Sequence, residues 1–325
     1  MTGTGRIPVL VLGGFLGSGK TSLLRRMLTG APETAVIVNE FGAVGLDHEV
    51  LRACEERVEL VGGGCACCTR RADLVRVLRE MLDDRDRGRA DINRVVIETS
   101  GLADPAPIVF TITNDPMLRH HFEVERLIVT VDAAAGREQL DRHAEVAKQV
   151  LVADELVITK GDLVEDEAFG TLAAKLAALN PAATIRAALH GVLDEEPVKV
   201  GTGRVERAHE AGATGHTDDV STLILRAAGP VDWLGFAVWL SMLLQARGEE
   251  VLRVKGLLEL EHGDVVSVNG VQHVVHMPEH LPRGAITEPP SKIVFITRGI
   301  DAERLRGSFE AFQRLARSGE RLATG

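Results

Sequence analysis

Ile7-Pro8-Val9-Leu10-Val11-Leu12-Gly13-Gly14-Phe15-Leu16-Gly17-Ser18-Gly19-Lys20-Thr21 is the stretch on which the fold turns. The apolar run Ile7 to Leu12 reads as a buried strand, and Lys20 to Leu28 reads as a helix. Between them, Gly14 through Thr21 has the spacing G-x-x-x-x-G-K-T of a phosphate loop, in the strand-then-helix context that gives this motif its meaning. Glycines permit a tight turn whose backbone amides face phosphate oxygens; Lys20 supplies positive charge, and the Thr21 hydroxyl can ligate magnesium. A chance glycine-rich loop would lack those flanks. Gly14, Gly17, Ser18, Gly19, Lys20, Thr21 and Ser22 are therefore the candidate phosphate-contacting residues.

The same alternation continues downstream. Thr34 to Asn39, Arg94 to Glu98, Arg126 to Asp132 and Glu155 to Thr159 read as strands. Arg71 to Leu82 has helical spacing, with Leu74, Val75, Leu78 and Leu82 on one face, and helices are expected within Asp141 to Ala153 and over Glu165 to Leu179. Strand and helix in turn predict an α/β domain with a mainly parallel sheet. Ligands of such sheets bind at the carboxyl ends of the strands. Residues 201–217, rich in glycine and charge, read as a linker between a first domain over 1–200 and a smaller α+β domain over 218–325. In that second part Ser221 to Arg226, Val251 to Leu260, Asp264 to Val268, Gln272 to His276 and Lys292 to Thr297 read as strands, and Val231 to Ala246 and Glu303 to Leu315 as helices.

The 325 residues carry a formal charge of -10. That overall field argues against nonspecific binding to nucleic acid or to an anionic membrane. Neither a secretory leader pattern at Met1 to Arg6 nor an apolar run of spanning length is present, so the expected location is the cytoplasm.

Two further motifs carry chemistry. Thr159-Lys160-Gly161-Asp162 follows a strand and resembles the N/T-K-x-D element of GTPases, in which Asp162 accepts from the guanine N1 and N2 donors and Lys160 covers the purine. With it, the first domain reads as a P-loop GTPase. Thr159 stands where Asn is commoner, which predicts a weaker or rearranged contact in that loop. Glu98, at the strand end Glu98-Thr99-Ser100-Gly101, is placed to organise magnesium or its water. Asp132 reads equally as a helix cap or a catalytic group.

The other motif is Gly62-Gly63-Gly64-Cys65-Ala66-Cys67-Cys68. Of the four cysteines, Cys54 stands apart and the other three crowd into one turn, a spacing that suits a soft or borderline metal better than a disulfide scaffold. Zinc matches such thiolates well, with copper or another transition ion, redox chemistry and a structural turn as the other readings. Glu40, in a loop that also holds Asp47, is a further candidate ligand, with surface charge as the alternative. His120 and His121 read as surface or structural histidines.

The order GGFLGSGKT, VNEFGAVGLD, GGGCACC, ETSG, ADEL and TKGD, followed by VLRVKGLL and GVQHVVH, resembles the CobW-like family of metal-trafficking GTPases over nearly the whole chain. The resemblance implies that GTP and magnesium order loops around a bound metal, and that hydrolysis to GDP and phosphate loosens them for transfer to a client metalloprotein or a metal-cofactor biosynthesis enzyme. On this chain it implies Lys20, Thr21 and Glu98 for catalysis, Thr159, Lys160 and Asp162 for the base, and Cys65, Cys67, Cys68 and Glu40 for the metal. Zinc is favoured, and Co2+ or Fe2+ stay open, as for a cobalamin or nitrile hydratase system. The second domain is open to a client or to a second copy in a homodimer. A metal-responsive GTP-binding interaction protein is the other class of function; a small-molecule kinase fits TKGD and the thiols poorly. The histidine-rich stretch of many relatives is missing between the domains, where only His209 and His216 occur.

Overall fold

In the computed structural model, which describes residues 5–31, 33–39, 58–60, 67–200, 219–227, 229–261, 263–272, 274–275, 278–281 and 291–323, the chain divides into two compact units, Met1–His216 and Thr217–Gly325. The strands of the first are β1 (Ile7–Gly14), β2 (Thr34–Asn39), β3 (Val58–Leu60), β4 (Arg94–Thr99), β5 (Phe122–Asp132), β6 (Glu155–Thr159), β7 (Thr184–Leu189) and β8 (Val192–Leu193). They lie in the order β3-β2-β4-β1-β5-β6-β7-β8. Every pairing is parallel except the last, a hairpin whose two-residue turn puts His190 and Gly191 at positive φ, the geometry that follows strand twist.

β1 runs through the middle of this sheet with Val9, Leu10, Val11 and Leu12 all buried. Burial on both faces is what a parallel sheet covered by helices requires, and it explains a continuous apolar run in place of alternation. Helix α1 (Lys20–Leu28) inserts Leu23, Leu24 and Leu28 against Leu10, Leu12, Val36, Val38, Val96, Ile128 and Val157. Helix α2 (Cys67–Asp86) begins at the cysteine motif and extends beyond the expected span at both ends. Its buried face is Leu74, Val77, Leu78, Met81 and Leu82; Val75, expected there, instead lines a surface groove of about 770 Å³ with Arg71, Arg76, Arg79 and Met117.

Helices α3 (Ala106–Asn114), α4 (Leu118–His121), α5 (Gly136–Arg142), α6 (Ala144–Val152) and α7 (Asp166–Leu179) complete the first unit among the described residues. Toward the amino ends of the strands an ion network crosses the sheet. Arg94 reaches Glu125 at 2.7 Å, Arg126 reaches Glu125 at 3.1 Å and buried Glu155 at 2.7 Å, and Arg186 lies 3.5 Å from Glu155.

Among the described residues, the second unit is an antiparallel sheet with two helices. Its strands are β9 (Val220–Arg226), β10 (Val251–Glu259), β11 (Val265–Val271), β12 (Val274–Val275), β13 (Glu279–Leu281) and β14 (Lys292–Arg298), in the order β12-β11-β10-β14-β9 with β13 beside β11. Helices α8 (Trp233–Arg247) and α9 (Ala302–Ala323) bring Phe236, Trp239, Leu305 and Phe309 against Leu223, Val254 and Phe295. Trp239 is buried and donates its indole N–H to Ser308 at 3.0 Å, while half-buried Trp233 joins the same cluster through Phe236. Among the described residues no helix is long and apolar enough to cross a membrane.

Leu24 is fully buried where α1 meets the sheet. Leu24→Ala should cost about 2–5 kcal/mol, from lost transfer energy and the cavity left behind. Urea unfolding followed by circular dichroism checks this, and an unchanged midpoint would mean that α1 does not anchor the core.

Candidate nucleotide and metal site

Parallel register brings the motifs to one edge. Leu12 pairs with Glu98, Gly14 with Thr130 and Asp132 with Thr159, so β1, β4, β5 and β6 end side by side. Immediately beyond those ends lie residues 14–19, the Ser100–Ala103 turn, and Lys160 to Asp162.

The loop after β1 is held by its own side chains. Lys20 is buried and folded back, its ammonium donating to the carbonyls of Gly14 at 2.9 Å and Phe15 at 3.1 Å. Ser18 donates to the Phe15 carbonyl at 2.7 Å, and its hydroxyl also lies 2.7 Å from that of Thr130. Gly14 has φ 139°, and a Cβ there would collide with the Thr130 hydroxyl, so glycine is required. Gly17 and Gly19 also take positive φ, and Gly19 precedes α1 without a side-chain cap. The first-turn amides of α1 thus lack a side-chain acceptor at the cap, the local chemistry that suits an anion. Ser22 is exposed in the same turn, with Gly191 close to its carbonyl.

The Thr21 hydroxyl donates to Oε1 of Glu98 at 3.0 Å, and Glu98 is buried. A hydroxyl and a carboxylate so placed beside the loop form a donor set of hard oxygens that fits a magnesium ion. Gly101 presses against Leu16 of the loop: a Cβ on it would lie 2.6 Å from Leu16 Cδ2 and 2.7 Å from the Leu16 amide nitrogen.

Thr159 is buried, and its hydroxyl donates to the carbonyl of Ser18 at 2.8 Å and more distantly to Val131 at 3.3 Å. Through this contact Thr159 ties the end of β6 to the phosphate loop. Lys160 adopts φ 56° and places its ammonium 2.5 Å from Oδ2 of Asp132. Asp132 Oδ1 accepts from the amides of Ala134 at 2.8 Å and Ala135 at 3.2 Å. Asp132 thus caps the turn after β5 and braces Lys160. Burial alone would raise its carboxyl, but the Lys160 hydrogen bond and the two amides outweigh burial and hold it below the ordinary aspartate value. Asp162 is exposed in a short 3-10 turn, Gly161–Leu163, open to a ligand.

Of the expected metal ligands, Glu40 and Cys65 lie outside the described residues, as do Cys54, Asp47, His209 and His216. Cys67 and Cys68 are placed by backbone only, in the first turn of α2. Among the described residues, no group of three or more His, Cys, Asp or Glu side chains is arranged to hold a metal ion. His120 and His121 are exposed on α4.

Two residues of this edge escape motif reading. Thr130 is a lone hydroxyl within the apolar β5 run, and Gln149 is a carboxamide between Lys148 and Val150 on α6, donating to the carbonyls of Gly101 at 3.2 Å and Ala103 at 2.8 Å. Their only signal in sequence is polarity at a buried position.

The CobW/HypB/UreG nucleotide-binding domain matches residues 8–187, and the C-terminal domain of the cobalamin synthesis protein cobW matches residues 220–313. The chain belongs to the CobW family. This CobW-family chain is 30% identical over 323 residues to zinc chaperone YjiA of Escherichia coli K12, covering 95% of itself and 99% of that relative. It is 34% identical over 247 residues to zinc chaperone CobW of Pseudomonas aeruginosa, covering 66% of itself and 64% of the relative. The crystal structure of Zn(II)-bound YjiA GTPase from E. coli superposes with a TM-score of 0.65 at 25% identity, covering 94% of this chain and 99% of that one.

The Asp132–Lys160 pair is expected to stabilise the fold on the order of 1 kcal/mol, since Lys160 is partly exposed. A depressed carboxylate contributes stability above its unfolded value of 3.8 and loses it as pH falls through the lowered folded value. The urea midpoint of Asp132→Asn should therefore trail the parent's by a constant gap at neutral pH, a gap that closes only below 3.8. A pH-independent gap would assign the loss to something other than the ion pair.

Proposed function

We propose that this chain is a GTP-dependent zinc metallochaperone of the cytoplasm, hydrolysing GTP to GDP and phosphate with Mg2+ and passing zinc to a client metalloprotein. The observation that carries the reading is the single edge on which the phosphate loop, the Thr21–Glu98 contact and the Lys160–Asp162 turn converge. Its support on the metal side is the cysteine motif at the start of α2 and the similarity, over nearly the whole chain, to a relative described as a zinc chaperone.

In this reading the amides of Gly14, Gly17, Ser18 and Gly19, with Lys20, Thr21 and Ser22, hold the phosphates. Lys20 exchanges its loop carbonyls for phosphate oxygens. Thr21 and Glu98 hold magnesium, which when bound neutralises phosphate charge as the terminal bond breaks. Thr159 keeps the base loop against the phosphate loop, Lys160 lies along the purine, and Asp162 accepts from the guanine N1 and N2 donors, which adenine lacks. Zinc is cargo: Cys65, Cys67 and Cys68 offer thiolates, with Glu40 as an oxygen ligand. Coupling between cargo and nucleotide is reciprocal, so GTP tightens zinc binding by the factor that zinc tightens GTP binding.

The decisive experiment is an anaerobic competition titration of Zn2+, Co2+ and Fe2+, in GDP and in a nonhydrolysable GTP analogue with Mg2+. Zinc should be preferred, and its affinity should differ between the nucleotides by about 5–150-fold. The double variant Cys67→Ser, Cys68→Ser should lose zinc stoichiometry and retain nucleotide binding. Equal zinc affinity in both nucleotides would defeat the coupling. Nucleotide-sensitive binding to a client without metal delivery would favour a metal-responsive interaction protein, and tighter Co2+ or Fe2+ an insertase for that ion.

A further inference from the structure

Gln149 is buried on α6 and donates from one nitrogen to two carbonyls, Gly101 at 3.2 Å and Ala103 at 2.8 Å. The orientation follows from the partners, because the opposite one would set its carboxamide oxygen against two carbonyl oxygens. That oxygen, Oε1, is buried and has no hydrogen-bond partner among the described residues. A buried acceptor left unmade is costly, and an apolar side chain of the same length would fill the space without that cost. The carboxamide is therefore accounted for by the two carbonyls it holds.

Those carbonyls belong to the segment that leaves β4 just after Glu98. Ala103 closes a turn by donating its amide to the Ser100 carbonyl at 3.0 Å, and Gly101 lies directly on Leu16 of the phosphate loop. Held from behind by Gln149 and bounded in front by Leu16, the backbone from Gly101 to Ala103 has its path set by α6.

The same piece of chain runs on from Gln149 through β6 to Thr159, Lys160 and Asp162. Its α6–β6 junction is clamped by Asn180, whose side-chain nitrogen donates to the carbonyls of Val150 at 2.7 Å, Leu151 at 3.3 Å and Ala153 at 3.0 Å. One clamped stretch thus carries the hold on segment 101–103 at one end and the base turn at the other.

We propose that Gln149 is a positioning residue for GTP hydrolysis, fixing the backbone of Gly101–Ala103 against the phosphate loop; this rests on the GTPase reading above. Its hydrogen bonds go to neither the phosphate loop nor the base turn, so its removal separates turnover from binding. Gln149→Met, which keeps length and loses the donor, should lower kcat for GTP about tenfold while KM and GDP affinity stay within about twofold. Gln149→Glu adds a second readout. Its protonated carboxyl can donate to one carbonyl and its carboxylate to none, so its kcat relative to the parent should fall as pH rises, whereas that of Gln149→Met stays flat.

A Gln149→Met protein with parental kcat overturns the proposal, as does parallel loss of kcat and GDP affinity, which marks a purely structural role. Should Gln149→Met fail to fold, the Gln149→Glu profile decides alone, and a flat one overturns the assignment. Failure of the GTPase reading is seen separately, as a parent protein that binds GTP with Mg2+ and Zn2+ and never hydrolyses it.

Discussion

Parallel pairing is the constraint from which the rest follows. Parallel neighbours cannot be joined by a tight turn, so each connection crosses over the sheet and every strand meets its neighbours with the same end. β1, β4, β5 and β6 therefore deliver Gly14, Glu98, Asp132 and Thr159 to one edge, although these residues are spread across nearly half the sequence. Hydrophobic burial of β1 between helices holds that edge in register, and α1 is part of both the burial and the site, since its buried leucines follow directly on Lys20 and Thr21.

Once the strand ends are adjacent, side-chain hydrogen bonds between loops do the finer positioning. Thr130 and Thr159 hold Ser18 from two neighbouring strands, Thr21 reaches Glu98 across the β1–β4 pair, and Asp132 braces Lys160. Each contact joins pieces of chain that a ligand at this edge would touch separately. A disturbance at the phosphate loop is thereby felt at the ends of β4, β5 and β6.

Local chemistry was legible in the sequence wherever one segment carried it. β1, the glycine loop and α1 are contiguous, and so are β6 and Lys160–Asp162, so spacing and residue type reveal them. Contacts over long separations were not: nothing in Thr159 announces a bond to Ser18, 141 residues away, and Gln149 reads as one of three polar residues in α6, with Glu145 and Lys148. On α2 the inner face uses Val77 and Met81 where Val75 was expected, because at 3.6 residues per turn Val75 falls just outside the arc shared by Leu74, Val77, Leu78, Met81 and Leu82. Ala106–Asn114, rich in β-branched residues, folds as a helix after Pro105, with Asp104 accepting the Ala106 amide at 2.9 Å. Tertiary packing overrides propensity there. β7 and β8 turn through His190-Gly191, a pair with far less hairpin character than Asn-Gly.

Lys160 occupies the left-handed region, where any side chain but glycine is strained by about 1 kcal/mol. A glycine would relax the backbone and discard the ammonium that rests on Asp132. Strain and ion pair are of the same order, so Lys160→Gly would exchange one for the other with little net change in stability. Selection for thermal robustness alone would therefore be nearly blind to this position. Any preference that a library of variants shows there would report a demand other than folding.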